Sequence, residues 1–383
     1  MGGPGLTKRR ILYVTGTRAD FGLMARTLKA INSASEFDLQ ILVTGMHLSE
    51  AFGLTVNEIK ASGFKIVAEV PIDHSINSGA RMARSIGEML IEFSFVMERE
   101  RPDVVMLLGD RGEMLAAAIA AIHENIAIVH IHGGERSGTV DEPVRHAISK
   151  LAHFHFTSTN EAKDRLIRMG ERSDHVWQVG APGVDGLIDD AVLPRSVLIG
   201  SLRLNPSLPI ALLVHHPVVQ DISMMASETQ AIIEGLLEAG CQIVALNPNS
   251  DAGGESVRKT LAAASSHHSV RVVTHFPRNE FVSWMSSADL MIGNSSAGII
   301  EAGTFGTPVI NIGSRQNMRE RNANVTDVPV VDSGLSEVIR TTLSRGRFET
   351  SNIYGDGASA PRIAALLAAV PLDAISLRKC NAY

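Results

Sequence analysis

Imidazole and carboxylate residues are concentrated at positions 130–141 of this chain, where the sequence reads HIHGGERSGTVD. His130 and His132 alternate, so their side chains point the same way if a strand continues through both. Glu135 and Asp141 add carboxylates nearby. Imidazole and carboxylate groups that converge in a cleft are suited to general acid–base chemistry, because their pKa values can be tuned toward neutrality.

Two other interpretations of this segment stay open. The two histidines could bind a metal ion, although their spacing matches no familiar ligand pattern, and we expect no metal. Asp141 precedes Glu142 and Pro143, so it could instead cap a helix that has proline in its first turn. The density of titratable groups favours a catalytic role over a purely structural one.

Two more candidate groups follow apolar runs in the first half of the chain. Asp110 and Arg111 come after the run 104–108, where Asp110 would face a cleft or would cap the next helix. Arg18 lies beside a glycine turn, and its planar donors could bind a phosphate or could pair at the surface with Asp20.

The second half contains a turn of small residues after the apolar run 290–292. Its sequence is Gly293-Asn294-Ser295-Ser296. Glycine allows a ligand to approach the backbone, and the N–H groups at a helix start favour an anion such as phosphate. The same sequence also fits an ordinary capped turn. Glu301, one and a half turns into the expected helix, could accept ribose hydroxyls or could be a solvated carboxylate.

Other polar residues end the neighbouring strands of this half. They are His216, Asn249, Asp251 and Arg315. Because the carboxyl ends of parallel strands share one edge of a sheet, we expect these side chains to lie beside the Gly-Asn-Ser-Ser turn. Imidazole, amide and guanidinium groups at such an edge are suited to a nucleotide diphosphate.

Apolar runs alternate with helical patterns almost throughout, which is typical of parallel α/β units. The strands expected in the first half are 11–15, 39–44, 65–70, 104–108, 126–131, 155–158 and 176–180. After a linker at 181–206, the strands expected in the second half are 210–215, 242–246, 270–274, 290–292 and 309–312. Helical patterns include 81–98 and 361–370. We therefore predict the α/β class with two Rossmann-like, doubly wound domains that face a cleft.

Size and composition bound the remaining possibilities. A chain of 383 residues exceeds what one core usually supports, so we expect domains at 8–190 and 191–359, with 360–383 packing back on the first. The net charge of -6 argues against nucleic acid as a partner. We find no membrane segment or signal peptide and expect a cytoplasmic protein without a membrane partner. The two cysteines suggest no disulfide framework, and Cys241 is expected in a core.

Taken together, the motifs resemble those of hydrolysing UDP-N-acetylglucosamine 2-epimerases. The matching motifs of the first half are Thr15-Gly16-Thr17-Arg18-Ala19-Asp20, Gly109-Asp110-Arg111, His132-Gly133-Gly134-Glu135 and Arg145-His146. Those of the second half are His216-Pro217-Val218, Asn249-Ser250-Asp251-Ala252-Gly253, the Gly-Asn-Ser-Ser turn and Gly313-Ser314-Arg315-Gln316. The resemblance runs in order through both expected domains.

The resemblance implies the glycosyltransferase-B architecture, a homodimer or homotetramer, and no cofactor. It implies conversion of UDP-N-acetylglucosamine and water to N-acetylmannosamine and UDP, which feeds sialic-acid-type sugar biosynthesis. By position, it implies UDP contacts from Arg18, His216, Asn249, Ser295, Ser296, Glu301 and Arg315, to which we add Arg111, Asp251, Gly293 and Asn294. It implies catalytic acids at Asp110 and Asp141, whereas His132 replaces a glutamate that many members carry.

The implied chemistry is an anti elimination followed by hydration. Donors around the diphosphate stabilise the departing UDP, the sugar C2–H acidifies, and a base removes that proton to give a 2-acetamidoglucal. Water then adds at C1, and a proton returns to C2 from the other face. Our hypothesis is that Asp110, His132 and Asp141 share the proton transfers and that Glu135 shapes the site.

Four rival functions remain. The same reaction on UDP-2,4-diacetamido-2,4,6-trideoxyglucose, in a legionaminic-type pathway, would share nearly all the motifs. A non-hydrolysing epimerase or a glycosyltransferase would keep the nucleotide groove and differ in the first-domain acids. A sugar-nucleotide-binding regulator without turnover would not need acidic residues clustered in the first domain.

Overall fold

Two parallel sheets make up the framework of the protein. The computed structural model describes residues 8–73, 78–137, 141–249 and 253–383, and thirteen strands in these ranges form the sheets. The first sheet contains β1 (Arg9–Thr15), β2 (Phe37–Thr44), β3 (Lys65–Val70), β4 (Val104–Leu108), β5 (Ala127–Ile131), β6 (Phe154–Thr157) and β7 (Val176–Gln178). The second contains β8 (Ile210–Val214), β9 (Gln242–Leu246), β10 (Val270–Val273), β11 (Leu290–Gly293), β12 (Val309–Ile312) and β13 (Val325–Val328).

Helices connect the strands. In the first half they are α1 (Arg18–Ser33), α2 (Val56–Ala61), α3 (Gly79–Glu100), α4 (Gly112–His123), α5 (Asp141–Leu151) and α6 (Asn160–Arg168). The connecting segment contains α7 (Leu187–Asp190) and α8 (Arg195–Leu202). The rest are α9 (Met225–Glu238), α10 (Gly254–Ala264), α11 (Arg278–Ser287), α12 (Ser296–Ile300), α13 (Leu335–Arg345) and α14 (Ser359–Ala369).

The strand order creates one switch point in each sheet. The orders are β3-β2-β1-β4-β5-β6-β7 and β10-β9-β8-β11-β12-β13, and the recorded strand pairs are parallel. The direction of winding therefore reverses between β1 and β4 and again between β8 and β11. Ligands of open α/β sheets bind outside the carboxyl ends of the strands at such points. The predicted fold class, two doubly wound α/β domains, is confirmed.

Burial explains why the strands read as nearly continuous apolar runs. Ile11, Leu12, Tyr13 and Val14 of β1 are all fully buried, and separate apolar cores cover the two faces of each sheet. A strand that is covered on both faces has no solvent side that would call for polar alternation. Cys241 is buried in the second domain, as predicted, and burial raises its pKa to about 12.

The last helix packs against the first domain. Ile363 and Leu367 of α14 share a core with Leu28 and Ile31 of α1, and Arg9 donates a hydrogen bond to the carbonyl of Leu367. The domain limits at 8–190 and 191–359 stay a prediction. None of the helices in the described part of the chain has the length and apolar character needed to cross a bilayer.

The structure differs from the sequence prediction in two elements. The predicted linker 181–206 is not loose, because it contains α7 and α8 and buries Val184 and Leu187 against Ile300 and Tyr354. Strand β13 was not predicted, since its four residues, VTDV, include exposed polar positions. Its pairing with β12 defines it as a strand, and that pairing is a tertiary contact that local periodicity does not show.

Candidate functional site

The turn after β1 positions Arg18 for an anion. The carboxylate of Asp20 accepts hydrogen bonds from the backbone N–H groups of Gly16 (3.1 Å) and Thr17 (2.8 Å), and burial raises its pKa to about 6. Asp20 is thus the N3 residue of a capping box whose N-cap is Thr17, and because its side chain is buried there, the predicted alternative of a surface pair with Arg18 is wrong. Arg18 Nη1 is buried without a hydrogen-bond partner among the described residues. A buried donor in this state is suited to an anionic ligand.

Asp110 lies on the turn after β4, and His130 holds that turn. His130 Nε2 donates to the carbonyl of Gly109 (2.7 Å), while Ser149 donates to Nδ1 (3.0 Å). Burial lowers the pKa of His130 to about 3, so this imidazole is neutral. His130 therefore supports the backbone next to Asp110 instead of facing a ligand.

The condition under which His130 and His132 would share one face, a strand that continues through both, is not met. Strand β5 ends at Ile131, and His132 has a left-handed backbone with φ of 64°. Because the strand does not continue to His132, the alternation of side chains along a strand does not apply to this pair. Among the described residues, no group of three or more His, Cys, Asp or Glu side chains is arranged to bind a metal ion.

A buried arginine pairs with Asp110. Arg145 on α5 forms an ion pair with the Asp110 carboxylate and donates to the carbonyl of Glu135 (3.1 Å) and to Ser137 Oγ (3.3 Å). Asp110 does not cap α4, because the N-cap residue of that helix is Arg111. Burial lowers the pKa of Arg145 to about 9. Arg145 was not a predicted site residue, although its position one turn after Asp141 on α5 puts both residues on the same helix face.

Arg111 also contacts a carboxylate that the sequence analysis missed. Its Nε lies 3.4 Å from Oε1 of Glu113. The Glu113 side chain is buried against the turn after β1. A Cβ added to Gly16 in that turn would lie only 2.6 Å from Glu113 Oε1. The missed signal is the absence of a side chain at Gly16, which leaves room for this carboxylate at the switch point.

His132 and Glu135 form a second buried group at the carboxyl end of β5. His132 Nδ1 lies 3.4 Å from Glu135 Oε1, and Ser158 Oγ donates to the same oxygen (2.5 Å). His132 Nε2 is buried without a hydrogen-bond partner in the described chain. Burial, and then the positive charge of Arg319, lowers the pKa of His132 to about 3, which makes it a neutral imidazole.

The second switch point is built around Asn294. Its amide accepts a hydrogen bond from the backbone N–H of His216 (2.7 Å) and donates to the His216 carbonyl (2.8 Å), which ties the end of β11 to the end of β8. Asn249 N–H donates to His216 Nδ1 (3.3 Å). Gly293 has φ of 129°, and a Cβ there would lie 2.1 Å from the Val214 carbonyl oxygen. Only glycine fits this close backbone approach.

The turn that follows is capped, but its helix is short. Ser295 is the N-cap of α12, and its Oγ accepts from the N–H of Ala297 (3.3 Å). Helix α12 contains five residues, so the dipole available to an anion is smaller than the sequence suggested. Ser296 is the first residue of this helix. Asp251 lies outside the described residues.

The position predicted for Glu301 is wrong. It follows the end of α12 and is not an exposed residue inside a longer helix. Its Oε2 lies 2.6 Å from Arg278 Nη2, and burial raises the pKa of this carboxylate. Arg278 was missed by the sequence analysis, and it also donates to the carbonyl of Gly183 in the connecting segment (2.9 Å). Its only sequence signal is its place after Pro277 at the start of α11.

Ion pairs cross between the two domains beside the predicted acids. Arg315 Nη2 lies 3.5 Å from Asp141 Oδ2, at the start of α5, and Arg315 Nη1 donates to the carbonyl of Asn294 (3.2 Å). Arg319 forms an ion pair with Glu135. The carboxyl ends of both sheets therefore face each other, with acids on the first domain and arginines on the second. Arg319 was missed because nothing local distinguishes it from a surface arginine.

A cavity of about 670 Å³ lies elsewhere. It is lined by Lys8, Arg9, Arg10, Asp38 and Asp103. These residues lie at the amino ends of β1, β2 and β4, the opposite edge from the predicted site. Because ligands of doubly wound sheets bind at the carboxyl ends, we do not assign this cavity to the site.

Solved structures with a similar fold show the architecture. The crystal structure of UDP-GlcNAc 2-epimerase from Neisseria meningitidis bound to UDP-GlcNAc matches with a TM-score of 0.78 at 19% identity, over 94% of this chain and all of that one. The structure of a putative UDP-N-acetylglucosamine 2-epimerase from Listeria monocytogenes matches with a TM-score of 0.77 at 19% identity, over 94% and 96% of the two chains. The fold is that of the glycosyltransferase-B architecture.

Sequence comparison then identifies the family. Residues 29–368 match the family described as UDP-N-acetylglucosamine 2-epimerase, and the chain belongs to it. The chain is 49% identical over 375 residues to the UDP-N,N'-diacetylbacillosamine 2-epimerase (hydrolyzing) of Legionella pneumophila, covering 98% of this chain and 100% of that one. It is 31% identical over 352 residues to the UDP-N-acetylglucosamine 2-epimerase of Neisseria meningitidis serogroup B, covering 91% of each.

Proposed function

We propose that this protein is a hydrolysing 2-epimerase that acts on a UDP-linked 2-acetamido sugar and releases UDP. The observation that carries the proposal is the contact between Arg315 and Asp141. It brings an arginine of the predicted nucleotide side within 3.5 Å of a predicted catalytic acid. Leaving-group stabilisation and proton transfer can therefore act on adjacent atoms of one substrate.

The first half of the reaction is an elimination. Arg18 and Arg315 stabilise the charge on the departing UDP, which takes the electron pair of the C1–O bond. A carboxylate removes the proton from C2, and the C1–C2 double bond of a 2-acetamidoglucal forms. We assign this proton transfer to Asp110 or Asp141. A neutral His132 with a pKa of about 3 is a weak base, so we assign it hydrogen bonding to the substrate.

The second half of the reaction adds water across the C1–C2 double bond. The hydroxyl of water adds to C1, and a proton is delivered to C2 from the face opposite to the one that lost it. The two proton transfers need two groups, and the first domain supplies two carboxylates for them. We propose further contacts to UDP from His216, Asn249, Ser295, Ser296 and Glu301. The residues proposed to surround these contacts are Arg111, Asp251, Gly293 and Asn294.

For the sugar, we propose N,N'-diacetylbacillosamine, the 2,4-diacetamido-2,4,6-trideoxy sugar. The support is the 49% identity over the full length of the Legionella pneumophila enzyme. UDP-N-acetylglucosamine is the second candidate, supported by 31% identity to the Neisseria meningitidis enzyme. The two substrates differ at C4, which carries an acetamido group in one and a hydroxyl in the other, and at C6, which is a methyl group in one and a hydroxymethyl group in the other.

The test offers each UDP-sugar separately to the purified protein in D₂O. We expect free UDP and a 2-epimerised sugar with deuterium at C2. We also expect a kcat/KM about 100-fold higher for the diacetamido substrate, since an apolar pocket for its C6 methyl group would reject an added hydroxyl by that order. A non-hydrolysing epimerase would keep UDP attached, and a glycosyltransferase would release UDP without deuterium at C2. If neither sugar yields UDP or deuterium, the proposal fails.

We also propose a homo-oligomer, a homodimer or a homotetramer. Light scattering on the purified protein measures this directly. A monomer at micromolar concentration would contradict it.

A further inference from the structure

Glu135 lies at the centre of a buried group to which both domains contribute. On the first domain, His132 Nδ1 is 3.4 Å away and Ser158 donates a hydrogen bond. From the second domain, Arg319 forms an ion pair with Glu135. The side chains of Glu135 and Arg319 are only 4% and 7% exposed, so each depends on the other for charge compensation.

Arg319 is itself held by the nucleotide side of the second domain. Its Nε donates to Gln316 Oε1 (2.6 Å), and Gln316 Nε2 donates to the carbonyl of Asn294 (3.3 Å). Gln316 is buried, and Asn294 belongs to the turn that ties β8 to β11. A continuous set of polar contacts therefore runs from that turn, through Gln316 and Arg319, to Glu135.

The imidazole at the end of this set has one nitrogen beside a carboxylate and the other without a hydrogen-bond partner in the described chain. Nδ1 of His132 faces a carboxylate, which favours the tautomer with its proton on Nδ1. Nε2 then carries a lone pair, and it is buried without a hydrogen-bond partner in the described chain. A buried acceptor in this state is suited to an N–H or O–H donor of a ligand.

We propose that Arg319 is a positioning residue: it reaches from the second domain to hold Glu135, and thereby fixes His132 with Nδ1 protonated and Nε2 presented as an acceptor to the substrate. The inference rests on the proposed function, because that function supplies the substrate to which His132 Nε2 would be presented. Arg319 can act only while the two domains are in contact, so His132 is ordered when the site is closed. Glu135 and Gln316 are positioning residues of the same set.

The test compares three variants of the full chain. Arg319→Met removes the charge, Arg319→Lys keeps it without the planar donors, and Arg340→Met is the matched control, since Arg340 pairs with Glu337 on an exposed face of α13. We expect Arg319→Met to lower kcat about 100-fold with KM and UDP affinity within about threefold of wild type. Arg319→Lys should recover only about a tenth of the lost activity, because the lysine ammonium group lacks the planar set of N–H donors of a guanidinium. Arg340→Met should stay within about twofold of wild type, because it removes an exposed surface pair.

A second variant separates positioning from folding. Arg319→Met leaves the Glu135 charge buried, whereas Glu135→Gln together with Arg319→Met removes both charges. We expect the double variant to regain thermal stability but not kcat. Recovery of kcat along with stability would mean that the pair serves the fold alone, and would overturn the inference.

The tautomer of His132 is the readout that does not need turnover. Long-range ¹H–¹⁵N spectra, with the His132 signals assigned by their loss in His132→Gln, should show the Nδ1-protonated form in wild type and a mixture in Arg319→Met. An unchanged tautomer, or a kcat within about threefold of wild type, overturns the inference. If wild type releases no UDP, the proposed function fails, while the spectra still decide the part played by Arg319.

Discussion

The ion pair of Asp110 and Arg145 combines a predicted catalytic acid with a residue of the protein core. The Arg145 side chain is 1% exposed, and that of Asp110 is 21% exposed. The guanidinium stabilises the carboxylate and fixes its direction through two further hydrogen bonds to the chain after β5. The acid is thereby held in place before any substrate arrives.

Replacing Asp110 should separate catalysis from nucleotide binding. We expect Asp110→Asn to lower kcat by about 1,000-fold or more and to leave UDP affinity within about threefold, as for a group that acts only in the proton transfers. The substitution also leaves Arg145 without its counter-charge, which costs on the order of 3 kcal/mol of stability. Steady-state kinetics, calorimetric titration with UDP and urea unfolding measure the three effects.

The serines of the nucleotide turn should behave in the opposite way. Ser295→Ala combined with Ser296→Ala removes the cap of α12 and two hydroxyl donors, so we expect UDP binding to weaken about tenfold. Calorimetric titration with UDP measures the affinity of this double variant and of Asp110→Asn, so that the two losses can be compared. Equal loss of UDP affinity in the two proteins would contradict the division of roles between the domains.

At the level of the elements, the ends of β8 and β11 are joined by one amide and one glycine. Asn294 satisfies both backbone groups of His216, and Gly293 allows the backbone to approach the Val214 carbonyl. The strand ends are therefore fixed relative to each other by contacts within this turn. The same rigidity fixes the position of Ser295.

Two glycine substitutions should have opposite effects on stability. Gly293→Ala places a Cβ 2.1 Å from the Val214 carbonyl oxygen, so we expect a loss of roughly 3 kcal/mol or more and weak UDP binding. Gly87, inside α3, is exposed and has nothing within 4 Å of an added Cβ, so Gly87→Ala should stabilise the protein by about 0.5–1 kcal/mol. Urea unfolding of both variants tests the contrast. A mild effect of Gly293→Ala would show that the turn can relax.

At the scale of the whole molecule, the protein buries several histidines in the neutral form. Burial is the first cause of the lowered pKa in each case. The values are about 4 for His47, about 3 for His130 and His132, and about 4 for His153 and His155. Above the unfolded pKa of 6.5 neither state is charged, so these groups add no pH dependence there.

Below that pH the unfolded chain gains protons that the folded chain does not. The free energy of unfolding should therefore fall with decreasing pH between 6.5 and about 4, by about 1.4 kcal/mol per pH unit for each such histidine. Urea unfolding at a series of pH values measures the slope. His47→Gln should reduce it by about that amount. A stability that stays level from pH 6.5 to 5 would contradict the buried neutral state.

The order of the elements, apart from β13 and the helices α7 and α8 of the linker, and the expected location of the candidate site follow from the sequence alone. Apolar runs that alternate with helical patterns specify two parallel sheets, and polar residues directly after a strand must lie at the carboxyl edge, because both signals are local. The motifs that resemble the epimerases come in the same order as these strand ends. Arg18, Asp110, His216 and Asn294 follow the four strands that border the two switch points.

Only the tertiary structure decided which of these groups meet. Glu135 contacts Arg319, Glu301 contacts Arg278, and Asp141 lies next to Arg315, in each case across a long stretch of chain. It also separated His130, which holds a backbone turn, from His132, whose Nε2 is available. Such pairings depend on how strand ends, connecting segments and domains come together in space. A periodic pattern records which face a residue occupies, but not which distant side chain lies opposite it.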